Sequence, residues 1–239
     1  MPDEVRIGAH RGAMCHAPEN TLPAFEVAIE HGTYRIECDV RRTADEALIL
    51  IHDATVERTT NGEGSVRDKS LNEIKSLRAQ GDAQIPTFAE ALECAKGRAR
   101  MLVELKDDDI VDQVVEEIVA AGMESECTVI AFHGDSILRA RALNPDIARG
   151  YFFLEPGDVN LPKIIEDFAP ALLVVWPRAA TPEIISEAKS LGLQVRCGFA
   201  DNMTYEESFE IFKRMVVMGV DEVSCGRPDW IKQMIESYR

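Results

Sequence analysis

Short apolar runs and longer amphipathic runs alternate along almost all of this 239-residue chain, and that alternation limits the folds open to it more than any single motif does. Residues 5–9, 35–40, 101–105, 127–131, 147–152, 172–175, 193–197 and 222–224 read as strands. Residues 21–31, 87–95, 110–121, 135–143, 162–168, 182–191, 205–219 and 229–238 read as the helices between and after them. A further extended run, 47–51, follows the second strand across a turn. A doubly wound sheet alternates in the same way. Eight strand–helix pairs and a length near the ~250 residues typical of a closed barrel favour an α/β (β/α)8 TIM barrel. Residues 1–239 are expected to form one domain, and the polar, glycine-bearing stretch 53–86, with one short helix near 71–77, reads as a small insertion within it.

A barrel of this type carries its chemistry at the C-terminal ends of its strands. Strand one ends at His10 and Arg11, and strand two carries Glu37 and Asp39 two residues apart, hence on one face. The extra run ends at His52 and Asp53, and the third barrel strand ends at Glu104 and Lys106. Three carboxylates aimed at an apolar interior need a counter-charge. A hard divalent cation, Mg²⁺ or Ca²⁺, supplies one and suits an all-oxygen donor set. Arg11 and Lys106 suit a phosphate, and His10 and His52 exchange protons near neutral pH. Together these groups describe metal-assisted phosphoryl transfer. Taken singly, an E-x-D is often an edge feature in solvent, a strand-end His a surface residue, and an E-x-K a weak ion pair. The specificity lies in their falling on one rim.

The net charge of −16 is expected to repel nucleic acid and anionic membranes, which points to a small-molecule partner and to no stable membrane association. Six cysteines, none at C-x-x-C spacing, read as reduced thiols, and the start of the chain has no apolar leader, so a cytoplasmic location is expected. Oligomeric state is open at this level.

The stretches Gly8-Ala9-His10-Arg11-Gly12, Pro18-Glu19-Asn20-Thr21, Glu37-Cys38-Asp39-Val40, His52-Asp53, Arg58-Thr59-Thr60-Asn61-Gly62, Ile85-Pro86-Thr87-Phe88 and Val103-Glu104-Leu105-Lys106 resemble, in order and approximate spacing, the signature of glycerophosphodiester phosphodiesterases. The ending Gly219-Val220-Asp221 with Arg227-Pro228-Asp229 extends the resemblance over nearly the whole chain. It implies His10 and His52 as an acid–base pair, Glu37, Asp39 and Glu104 as cation ligands, and Arg11 and Lys106 as phosphate anchors. It also implies that Glu19 and Asn20 order the first loop behind the cation. The implied reaction releases an alcohol and glycerol phosphate through a cyclic phosphate, and either histidine is left free to act first. A lysophospholipase-D-like enzyme and a phosphate-binding protein without turnover are the alternatives. The first needs an apolar mouth, and retention of both histidines and all three carboxylates weighs against the second.

The departures from the family pattern fall in the C-terminal half. Gly198 stands where the pattern has Trp, Asp201 where it has Asn, and Ala131-Phe132 where it has Ser-Phe. Cys225-Gly226-Arg227-Pro228 replaces T-D-R-P. Trp176 or Phe199 is expected to rebuild the substrate wall that Gly198 leaves open, and Arg178 reads either as a surface charge or as an extra anchor for an anionic substrate.

Overall fold

The computed structural model describes residues 5–155 and 159–238. Among these, nine strands and nine α-helices alternate as expected. They run β1 (Arg6–Ala9), α1 (Leu22–Glu30), β2 (Arg35–Arg42), β3 (Leu48–Leu50), α2 (Leu71–Ser76), α3 (Phe88–Ala95), β4 (Arg100–Leu105), α4 (Val111–Ala121) and β5 (Cys127–Ala131). After these come α5 (Gly134–Leu143), β6 (Ala148–Phe153), α6 (Leu161–Phe168), β7 (Leu172–Val175), α7 (Pro182–Ser190), β8 (Gln194–Gly198), α8 (Tyr205–Met218), β9 (Glu222–Cys225) and α9 (Pro228–Tyr238). The sheet order β1-β9-β8-β7-β6-β5-β4-β2, closed by parallel pairing of β1 with β2, is a complete eight-stranded parallel barrel. β3 is the ninth strand and joins the outside of β2 in antiparallel register, Val40 opposite Leu50.

Helix ends follow local chemistry. Thr87 with Glu90 and Thr204 with Glu207 form reciprocal capping boxes at α3 and α8. Thr21 caps α1, its hydroxyl accepting from Ala24 N–H.

The period-two alternation divides every barrel strand into an outer and an inner face. Outer residues Ile36, Cys38, Val40, Met101, Val103 and Val129 pack under α1, α3, α4 and α5, and Leu173, Val175, Val195, Cys197 and Val223 under the later helices. The interior is split. One side is apolar, formed by Leu102, Ile130 and Leu172 with Phe152 and Val174. The other carries charge at two levels. Near the strand starts, Arg35 (3.0 Å) and Arg196 both donate to Glu222, and Arg196 also donates to Ala9 C=O at 3.1 Å. Gly8 makes room for this network, since a Cβ there would lie 2.7 Å from Glu222 Oε1. The second level, at the strand ends, is the candidate site.

Residues 53–86 pack on β3 and form a small core of their own, in which Val56, Val66, Ile74 and Ile85 meet Ile49 and Ile51. None of the described helices is long and apolar enough to cross a membrane.

Candidate active site

Glu37 and Asp39 project from the inner face of β2, and Glu104 from β4, where Asp39 and Glu104 are register partners. One oxygen from each of the three lies within 4.8 Å of the others, and all three residues are buried. Burial first, and then the Asp39 charge, pushes the Glu37 carboxyl up to about 7, and the same causes raise Glu104. Three buried carboxylates in mutual repulsion fit a divalent cation. Asp39 offers a specific sign of it: Oδ1 is fully buried and accepts no hydrogen bond among the described residues, although Lys106 Nζ lies 3.4 Å away.

The rest of the cluster is held by the loop after β1. Arg11 and Gly12 both take left-handed backbone (φ 52 and 78), which turns the chain sharply over the barrel mouth. Gly12 is required twice, because a Cβ would also lie 2.8 Å from Ala24. The turn aims Arg11 N–H at Glu37 Oε2 (2.7 Å) and brings Arg11 Nε within 3.3 Å of Asp39 Oδ2. Asn20, also left-handed at φ 56, donates to Asp39 Oδ2 at 2.7 Å and accepts from Asp39 N–H at 3.1 Å. Glu19 accepts from Arg11 (2.9 Å) and from both terminal nitrogens of Arg58 (2.8 Å each), and these cations keep it ionised against its partial burial.

The two histidines stand on either side of the acidic cluster. His10 directly follows β1 and feels the charge of Glu37; His52 lies just past β3, and the Ile51 N–H between them bonds Asp39 C=O at 3.0 Å. Each ring has its Nδ1 against a carboxylate: His10 to Asp201 Oδ2 at 2.9 Å, and His52 to Asp53 Oδ1 at 2.6 Å. Burial pulls the His10 pKa down, but the Asp201 hydrogen bond and the Glu37 and Asp201 charges outweigh it and leave it raised. Asp53 also accepts from Arg58, which together with His52 holds it well below the usual carboxylate range. With both Nδ1 atoms engaged, Nε2 is the nitrogen left to meet a substrate.

These residues sit in a chain whose sequence from 10 to 229 matches the model of the glycerophosphoryl diester phosphodiesterase family. The chain belongs to that family. It is 29% identical over 244 residues to a glycerophosphodiester phosphodiesterase of Caldanaerobacter subterraneus subsp. tengcongensis, covering 95% of this chain and 96% of that one. A glycerophosphodiester phosphodiesterase of Bacillus altitudinis is 31% identical over 241 residues, with 94% and 95% covered. Among solved structures, an Oleispira antarctica phosphodiesterase in complex with the product sn-glycerol-3-phosphate superposes with a TM-score of 0.84 at 26% identity, with 97% and 96% covered. Membership makes the chain a phosphoric diester hydrolase of the glycerophosphodiester class.

The family site's outer wall differs from expectation at one residue. Phe199 is only 7% exposed and packs with Val195 and Cys197 in the layer between barrel and helices. The residue after an inward-facing position points outward, so Phe199 does not turn toward the mouth, and Gly198 leaves no gap to fill, since a Cβ there would lie 2.6 Å from Ser224 C=O. Trp176 does lie at a strand end, directly after β7, and is 44% exposed with the Arg178 guanidinium 4.8 Å over its ring. Arg178 is itself engaged with Glu155 and with Leu154 C=O.

Sequence reading overlooked two features of the rim. Asp201 and Asp53 brace the histidines. The second was signalled by its place beside His52, the first only by its departure from the family pattern. Phe132, 57% exposed, stacks on Phe152 at 4.6 Å between ring centroids, with Lys106 Nζ 5.8 Å from its ring. This stack gives the mouth an apolar edge next to the phosphate-binding candidate.

Proposed function

We propose that the chain hydrolyses a glycerophosphodiester to an alcohol and glycerol phosphate, with His10 and His52 moving the protons. In this reading Glu37, Asp39 and Glu104 hold a divalent cation of the hard class, Mg²⁺ or Ca²⁺, while Arg11 and Lys106 bind the phosphate. Glu19 and Asn20 order the loop that presents Arg11, and Trp176 lines the mouth. The whole chain acts as a single barrel domain, with residues 53–86 inserted so that Arg58 reaches the site.

The buried cluster of three carboxylates, with an Asp39 oxygen that accepts no hydrogen bond among the described residues, carries this reading. A bound cation would draw charge from the phosphate oxygens and offset the cluster. Everything else falls to side chains. One histidine, through Nε2, takes the proton from the glycerol hydroxyl beside the phosphoester as that oxygen attacks phosphorus. The other gives a proton to the departing alcohol oxygen, and the diester becomes a cyclic phosphate. Water then opens the ring with the two proton roles reversed. Arg11 and Lys106 hold the phosphate in line and balance its charge.

The test is incubation of the purified protein with a panel of glycerophosphodiesters carrying different headgroups, with and without chelator, identifying both products. Release of an alcohol and glycerol phosphate only in the presence of cation is the expected result. Binding of glycerol phosphate with no turnover of any panel member would favour a binding protein instead.

A further inference from the structure

Two of the positions at which the chain leaves its family's pattern touch each other, and one of them touches a histidine. Asp201 stands in the loop after β8, and Gly226 directly follows β9. They are brought together because β8 and β9 are paired neighbours in the barrel, Gly198 opposite Ser224. The Asp201 carboxylate is used at both ends: Oδ2 meets His10 Nδ1 at 2.9 Å, and Oδ1 accepts the backbone N–H of Gly226. The Gly226 position is crowded. A Cβ built there would lie 2.8 Å from Asp201 Oδ1, 2.5 Å from Met14 Cγ and 2.9 Å from Cys15 Sγ. Gly226 C=O in turn accepts from Cys15 N–H at 3.1 Å, and His10 N–H is bonded to Cys225 C=O at 3.1 Å. The end of β9 therefore fixes both the backbone of His10 and the acid behind its ring.

We propose that Asp201 is the positioning residue of His10 and that Gly226 exists in this chain to seat it. The family pattern carries its acid at the position of 226 and an amide at that of 201. Here the acid comes from 201, and 226 contributes the space and an N–H donor. The inference rests on the reading of His10 as a proton-transfer group. A carboxylate anchored at its far oxygen presents a fixed acceptor to Nδ1–H. That selects the tautomer whose Nε2 faces the substrate and favours the imidazolium when His10 accepts a proton. His52 has a comparable neighbour in Asp53, but that acid is shared with Arg58, which competes for its charge. Of the two histidines, His10 is thus the one backed by a carboxylate with no arginine on it among the described hydrogen bonds, and the geometry assigns it the proton donation to the first leaving group.

The charged groups facing His10 are Asp201, Glu37 and Arg11. The variants are Asp201→Asn, Asp201→Ala and Gly226→Ala, each studied loaded with Mg²⁺ or Ca²⁺ and checked for folding by thermal denaturation. On a glycerophosphodiester with a poor alcohol leaving group, Asp201→Ala lowers kcat by about 10–100-fold with KM unchanged, the range typical when a hydrogen-bonded support behind a working residue is lost. Asp201→Asn, which keeps an acceptor but not the charge, falls between it and the parent. Gly226→Ala, which leaves Asp201 in the sequence but displaces its carboxylate, follows Asp201→Ala. A p-nitrophenyl ester, which leaves without a proton, is far less affected by all three. Independently of turnover, the His10 ring followed by NMR titrates at lower pH in Asp201→Ala and Asp201→Asn than in the parent. Unchanged kcat on the poor leaving group, or an unmoved His10 titration in a folded variant, overturns the proposal. A parent protein that turns over no diester defeats the functional reading instead, and the titration still decides the role of Asp201.

Discussion

Asn20 is bonded twice to Asp39, its amide donating to the carboxylate at 2.7 Å and its carbonyl accepting from the backbone N–H at 3.1 Å. The contact fixes the orientation of one carboxylate of the acidic cluster, leaving Oδ1 as the oxygen that would meet the proposed cation. Asn20 also takes left-handed backbone, which asparagine tolerates better than most residues. Replacing Asn20 with Ala removes both bonds and leaves Asp39 N–H buried without a partner. Cation binding is expected to weaken by about 10–100-fold, and stability to fall by about 1–3 kcal/mol. Isothermal titration with Mg²⁺ or Ca²⁺ and urea denaturation measure the two. A variant with parental affinity would show that Asp39 needs no second partner.

The raised Glu37 carboxyl gives the cation-free protein a defined pH dependence. Its ordinary value of 4.5 applies to the unfolded chain, while the folded chain holds the proton up to about 7. Between those values the folded state carries a proton that the unfolded state has lost, so this group's contribution makes stability fall as pH rises, then level off above about 7. Cation binding must displace the same proton, so affinity should climb with pH toward about 7 and then level off. Calorimetric titrations at a series of pH values test this. An affinity that ignores pH across that window would count against Glu37 as a ligand.

Chelation should abolish turnover, and Mg²⁺ or Ca²⁺ should restore it, because the three buried carboxylates otherwise repel each other and the substrate phosphate. The cation should also raise the unfolding temperature, its stabilisation growing with the logarithm of its concentration over its dissociation constant. Full activity in a preparation shown to be free of metal would remove the cation from the reaction.

His10→Ala and His52→Ala should each lower the rate on a poor leaving group by about 10²–10⁴-fold, the usual contribution of a positioned acid or base. Both rings lie at the mouth rather than in the apolar core, so the variants should stay folded. The histidine that serves as acid in the first step should matter little for a p-nitrophenyl ester, and the one that serves as base should matter for both. Near-parental rates in either variant on the poor leaving group would exclude that residue from proton transfer.

The barrel was legible in the sequence because its evidence is periodic and repeated: each strand and helix states its own face, and eight pairs leave few other topologies. The chemistry at the first strands was legible for a related reason. Glu37 with Asp39, and Glu104 with Lys106, are local pairs whose direction follows from strand period. What the sequence hid is non-local. Asp201 is 191 positions from His10, and only barrel closure brings them together. The Arg35–Glu222–Arg196 network is non-local in the same way: strand period puts Arg35 on the face of Glu37, but only barrel closure brings Arg196 and Glu222 to it. Phe199 shows the converse failure. Size and proximity made it a candidate wall, but one step along a strand reverses direction, and Gly198 holds the inward position.

That reversal separates two aromatic variants. Phe199 is buried among Val195, Cys197 and their neighbours, so Phe199→Ala should cost about 3–5 kcal/mol of stability, the usual range for a core Phe. Its folded fraction should bind substrate with parental KM. Trp176, 44% exposed after β7, should behave in the opposite way. Trp176→Ala should leave the unfolding midpoint and the cation requirement nearly unchanged while raising KM unequally across a headgroup panel. Arg178→Ala should weaken only headgroups carrying an extra negative charge, through loss of the cation over the Trp176 ring. Denaturation curves and Michaelis–Menten series on the three variants decide between wall and core. A Trp176→Ala protein with unchanged KM for every headgroup would move the substrate wall to the Phe132–Phe152 stack, which is the other aromatic surface at the mouth, beside Lys106.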